Sequence, residues 1–119
     1  MKRQLVLPSA LLSLALLYAA PAAADSDCSM VFNLHSLDSG VPTTIVFTNA
    51  ASDPRAIVWI GYDGKVQQYA VVAPGDSLSQ QTFVNAAWMV KDSGGKCRGI
   101  FITKNSTRTI TMMDMGNSG

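Results

Sequence analysis

His35 is the one imidazole in the 119-residue chain, and it stands next to Ser36 and shortly before Asp38. These are the residue types of nucleophilic hydrolysis, in which a base within hydrogen-bond reach takes the serine proton. Their spacing argues against that chemistry. Neighbouring residues on an extended chain point to opposite faces, so this trio cannot assemble a triad through local sequence. No Gly-x-Ser-x-Gly elbow, His-Glu-x-x-His pair or phosphate loop occurs. All eight acidic residues are aspartate, and they fall near expected turns or termini, where turn formation is a simpler account than paired-carboxylate hydrolysis. Cys28 and Cys97 lack the C-x-x-C spacing of a redox or zinc motif. The residues therefore point to no catalytic centre, no metal and no cofactor.

The aromatic residues carry more information. Trp59, Tyr69 and Trp88 each fall in a different expected strand. Converging aromatics beside a hydroxyl donor make a shallow slot for an apolar ring such as proline, where contact area supplies binding and polar groups set orientation. The competing use of the same residues is to fill a core, the common fate of large aromatics.

Several kinds of element must position them. Met1-Lys2-Arg3, an apolar run from Ala10 to Ala20 and Pro21-Ala22-Ala23-Ala24 have the three parts of a secretory signal peptide, expected to be cleaved after Ala24. A single domain, 25–119, would remain, periplasmic or secreted, with no membrane segment. Without Lys2 and Arg3 it has seven basic residues against eight acidic ones, a net charge of −1, which offers nothing to attract nucleic acid or anionic lipid. Export favours oxidation of the cysteines. A Cys28–Cys97 disulfide would close a loop of about 70 residues and add about 4 kcal/mol of stability.

Short β-branched or aromatic runs alternate with Gly, Pro, Asn and Asp clusters, the pattern of a sandwich or barrel. Strands are expected over 29–34, 43–48, 56–62, 65–71, 77–84, 87–91, 98–103 and 108–112. The unbroken apolar runs Ile45-Val46-Phe47 and Ile57-Val58-Trp59-Ile60 suit central strands, and the more polar Lys65 to Tyr69 suits an edge. Asp63-Gly64 is expected to form a type I′ hairpin turn, Pro74-Gly75 a type II turn, and Ser93-Gly94-Gly95 a third reversal. The tail from Met112 onward has no pattern to pack it and is expected to fray.

Val58-Trp59-Ile60-Gly61-Tyr62-Asp63-Gly64, Tyr69, Ala73-Pro74-Gly75 and Trp88-Met89-Val90-Lys91-Asp92 together resemble the β domain of the von Hippel-Lindau tumour-suppressor family. The resemblance runs without a gap from Leu34 to Phe101 and takes in Ser36, Ser39, Pro42, Phe47, Asn49, Gln67 and Gly94. It implies an antiparallel β-sandwich of about seven strands, in keeping with the strand spacing. In that family two tryptophans, a tyrosine, a serine and a histidine line a pocket for a hydroxylated proline in a peptide. By position the resemblance assigns Trp59, Tyr69 and Trp88 to that pocket, with Thr82 in the serine's place. Ala86 stands where the histidine would be, so half of the pair that holds the ligand hydroxyl is missing. A buried hydroxyl short of a partner costs about 1–3 kcal/mol, enough to erase a preference for hydroxyproline over proline. The family's helical α domain, which recruits the elongin and cullin machinery, would lie beyond Gly119, so no ubiquitin-ligase partners are expected.

These readings converge on an exported, non-enzymatic module that binds a protein or proline-containing peptide through an aromatic slot. The alternative is an accessory sandwich domain with no discrete ligand pocket.

Overall fold

The computed structural model of the protein describes residues 23–114. The expected signal peptide falls almost wholly outside these residues, as does the end of the tail from Met115. Seven strands form: β1 (Pro42–Asn49), β2 (Arg55–Ile60), β3 (Val66–Val72), β4 (Ser77–Phe83), β5 (Ala87–Lys91), β6 (Cys97–Ile102) and β7 (Arg108–Met112). They make two sheets, a three-stranded one in the order β4-β1-β7 and a four-stranded one in the order β3-β2-β5-β6. Pairing is antiparallel except between β1 and β7, which run parallel. The arrangement is a β-sandwich, and the two apolar runs occupy central strands, as their hydrophobicity requires.

Two apolar layers hold the sheets. Between them lie Ile45, Phe47, Ile110 and Met112 from the smaller sheet, and Ile57, Val72, Trp88, Val90 and Phe101 from the larger. Alternation along β1 is the reason: Ile45, Phe47 and Asn49 face inward, while Val46 and Thr48 are only partly covered. The outer face of the larger sheet carries a second cluster of Val58, Ile60, Ala87, Met89 and Ile100, against which Val31 and Leu34 pack. Both faces of β2 and β5 are thus buried, which explains their unbroken apolar runs.

The cover on that outer face corrects one expectation. Residues 28–33 form a 3-10 helix, Cys28–Asn33, rather than a strand. The Asp27 carboxylate accepts the Ser29 N–H at 3.2 Å and caps the turn. Val31 and Leu34, three residues apart, then reach the sheet together, a spacing that suits this tighter helix. Strand-like pairing occurs only just before it, as a bridge between Ser26 and Ile100. The disulfide between Cys28 and Cys97 forms as expected and staples the cover to β6.

Two further expectations change in detail. In the β2–β3 hairpin only Gly64 has a positive φ, +83°, and its N–H donates to the Gly61 carbonyl at 3.0 Å. Asp63 keeps a negative φ, so the turn is not type I′. A turn followed by a left-handed glycine is the three-residue hairpin solution, and the Asp63 carboxylate secures it by accepting the Lys65 N–H. The tail also packs further than expected. Met112 is fully buried, and the next two carbonyls are held by arginines: Arg55 Nη2 donates to Met113 O at 3.2 Å and Arg98 Nη2 to Asp114 O at 2.6 Å.

Candidate functional site

Register brings the two tryptophans together. Trp59 on β2 is the direct partner of Trp88 on β5, and directly opposed residues of an antiparallel pair project to the same face. Trp88 enters the core, 2% exposed, edge-on to Phe47 at 6.4 Å between ring centroids. Trp59 lies nearer the sandwich margin and is half-buried.

Tyr69 joins them from the neighbouring strand β3. Ile57 pairs with Ala70 and Val58 with Gln68, which leaves Tyr69 as the extra residue of a β-bulge. Gln67 pairs with Trp59, so alternation already puts Tyr69 on the tryptophans' face, and the bulge brings Ala70, the partner of Ile57, to that face as well. The Tyr69 ring therefore meets Trp59 at 6.3 Å and Trp88 at 5.0 Å, both edge-on. It remains 46% exposed, so its outer part faces solvent.

The fourth expected residue comes from the other sheet. Thr82 on β4 accepts the Trp88 indole N–H at 3.3 Å from Nε1 to Oγ1. This bond spans the two sheets and gives the buried indole its partner. Trp59, Tyr69, Thr82 and Trp88 thus line one cavity of about 180 Å³, together with Tyr62, Gln81, Phe83 and Ala86. The cavity lies at the margin where β3 and β4 are the outermost strands of their sheets.

The surrounding backbone explains the shape. Ala86 is buried, its N–H donating to Thr103 Oγ1 at 2.9 Å and its carbonyl accepting the Thr103 N–H at 3.0 Å. Asn85, just before it, holds a φ of +68°, which asparagine tolerates better than most residues. On the far side a Cβ at Gly61 would come within 3.1 Å of Lys65 O and 3.3 Å of Trp59 Cζ3. Glycine there lets the turn close over the indole. Beyond Trp59 and Tyr62 a larger and shallower recess, about 460 Å³, carries Asp63 and Lys65.

Sequence reasoning missed Tyr62, Gln81 and Phe83 as lining residues. Tyr62 packs on Trp59 at 5.2 Å with the rings perpendicular, and its place in the turn right after β2 was the available signal. Gln81 and Phe83 flank Thr82 on β4 and are exposed, and nothing in the alternation of that strand marks them.

The catalytic candidates do not assemble. The Ser36 hydroxyl is buried, donating to the Ile60 carbonyl and accepting the Ala87 N–H. It ties the loop before β1 to the ends of β2 and β5. His35 is exposed, with Nδ1 3.0 Å from the Ser36 carbonyl. Carboxyl groups with shifted acidity lie in ion pairs away from the aromatic cavity. The Ser93 N–H, with the Arg55 guanidinium and against the opposing effect of burial, lowers Asp53 to about 2. Arg55 itself is buried, with Nε 3.1 Å from Asp53 Oδ1.

A family model described as the VHL beta domain matches residues 34–107. Among solved structures, the NMR structure of a protein from Eubacterium rectale is 20% identical, covering 70% of this chain and 88% of its own, with a TM-score of 0.42.

Proposed function

The chain belongs to the von Hippel-Lindau β-domain family, and from that premise we propose that it is an exported module that holds an extended, proline-containing peptide of a protein partner. The family is non-catalytic, which supports a binding role for this chain rather than an enzymatic one. One observation carries the reading: Trp59, Tyr69, Thr82 and Trp88, far apart in sequence, line one cavity at the sandwich margin. Edge strand β3 lies beside it, paired on one side by β2. A peptide added along that edge would take main-chain hydrogen bonds while the slot receives one side chain.

The polar groups favour a proline that need not be hydroxylated. Thr82 Oγ1 already accepts the Trp88 N–H, and its own proton is left to donate to the ligand. Ala86 supplies no second partner. Matched proline and hydroxyproline peptides should therefore bind the oxidised protein with similar affinity, followed by tryptophan fluorescence, and Ala86→His should introduce a preference for hydroxyproline. No response to either peptide in either protein would remove the proposal.

Export is part of the same reading. The Cys28–Cys97 disulfide supports an oxidising compartment, with cleavage after Ala24 and a domain of 25–119 in the periplasm or outside the cell. A mature protein whose first residue is not Asp25 would contradict that boundary. The second reading, an accessory sandwich without a ligand, draws on the burial of Trp88 beside Phe47. Comparing substitutions at Trp88 and Tyr69 separates the two.

A further inference from the structure

We propose that the slot also accepts a quaternary ammonium group of the choline type, an inference that rests on the reading of the slot as an open ligand site. Successive aromatic pairs along its wall are steeply inclined: 88° between Trp59 and Tyr62, 70° between Trp59 and Tyr69, and 79° between Tyr69 and Trp88. Rings set this way are not stacked along one side, and all four line the same space. The space, about 180 Å³, lies below the range of about 300–1,000 Å³ for drug-sized ligands. It suits a compact head.

The polar lining chooses the chemistry. Among the described residues, only the Thr82 hydroxyl and the Gln81 carboxamide offer side-chain polar atoms besides the aromatic rings' own N–H and O–H, and no charged side chain lines the slot. The Thr82 oxygen is already engaged by the Trp88 indole. A primary ammonium would have to exchange its water for acceptors placed to suit all three of its N–H groups. A quaternary ammonium has no N–H to satisfy. Its positive methyl groups are drawn to the negative faces of aromatic rings, and the rings that reach solvent at the slot are those of Tyr62, Tyr69 and the half-buried Trp59. The adjoining recess carries one charge of each sign, Asp63 and Lys65, so the pull on a cation would come from the rings.

The test sets choline against its uncharged carbon isostere, in which a tert-butyl group replaces trimethylammonium, by calorimetric titration of the oxidised protein. The expected result is choline binding about tenfold tighter than the isostere, with choline competing against a proline peptide. Tyr69→Leu should weaken choline binding. Fluorinated tryptophan, which keeps the ring shape but drains its faces of negative potential, should weaken choline and spare the isostere even if Tyr69→Leu proves unstable. Phosphatidylcholine vesicles, run beside phosphatidylglycerol vesicles, distinguish a lipid headgroup from a free ligand. Isostere binding equal to or tighter than choline would overturn the inference. So would peptide binding without choline binding, which leaves the peptide reading standing. Choline binding without peptide binding would uphold the cage and remove the peptide, and silence toward both would remove both.

Discussion

Replacing Trp88 and Tyr69 in turn by alanine separates core from slot. Trp88 is 2% exposed, packs on Phe47 and donates to Thr82, so Trp88→Ala removes a full core side chain and should cost about 3–5 kcal/mol. A domain of this size loses roughly 4–8 °C in Tm per kcal/mol, which puts the loss in the tens of degrees. Tyr69 is 46% exposed. Only about half of the 1.5–3 kcal/mol for a fully buried large side chain is at stake, and its two edge-on contacts raise the total to about 2 kcal/mol. Differential scanning calorimetry reads both values. Tyr69→Ala should still fold, yet lose peptide affinity by about 2 kcal/mol or more, close to thirtyfold in Kd. Tyr69→Ala that destabilises as much as Trp88→Ala, or that folds and leaves peptide binding untouched, would refute the assignment of Tyr69 to the slot.

Other perturbations test the framework. Reduction, or Cys28→Ser with Cys97→Ser, should lower stability by about 4 kcal/mol in urea denaturation and loosen the 3-10 cover, detected as faster amide exchange at Val58, Met89 and Ile100. Acid should act through Asp53, lowered to about 2 when folded against roughly 3.9 unfolded. The stability it supplies is complete above the unfolded value and is lost as pH falls from about 4 toward 2, so Asp53→Asn should flatten that part of an acid-unfolding curve followed by circular dichroism. Gly61→Ala places a Cβ 3.3 Å from Trp59 Cζ3 and 3.1 Å from Lys65 O. It should shift the emission of Trp59 and weaken peptide binding while the rest of the fold persists.

Much of this architecture was legible in residue order because each strand signals its own burial. Ile45 and Phe47 alternate on β1, β2 is apolar on both faces, and Pro74-Gly75 turns as its chemistry requires, with Gly75 at a φ of +86°. The chain from 28 to 33 misled because Val31 and Phe32 look like strand residues. Its local capping by Asp27 and its covalent tie to β6 decide otherwise. The tail misled for a related reason. What holds Met113 and Asp114 is a pair of arginines from distant strands, which no local pattern reveals. At the site, types and family positions pointed to Trp59, Tyr69, Thr82 and Trp88. What residue order does not reveal is the bulge at Tyr69, which turns Ala70 to the same face and depends on pairing register rather than on the strand's own sequence. The indole bond to Thr82 likewise needs two sheets in place before it exists.

The most direct test of the binding claim is an isotope-labelled amide and indole spectrum of the oxidised protein, titrated with a short proline-containing peptide. The account predicts saturable shifts at the indole N–H groups of Trp59 and Trp88, at the amides of Tyr69 and Thr82, and along β3. An unchanged spectrum at saturating peptide, or shifts confined to other surfaces, would contradict it.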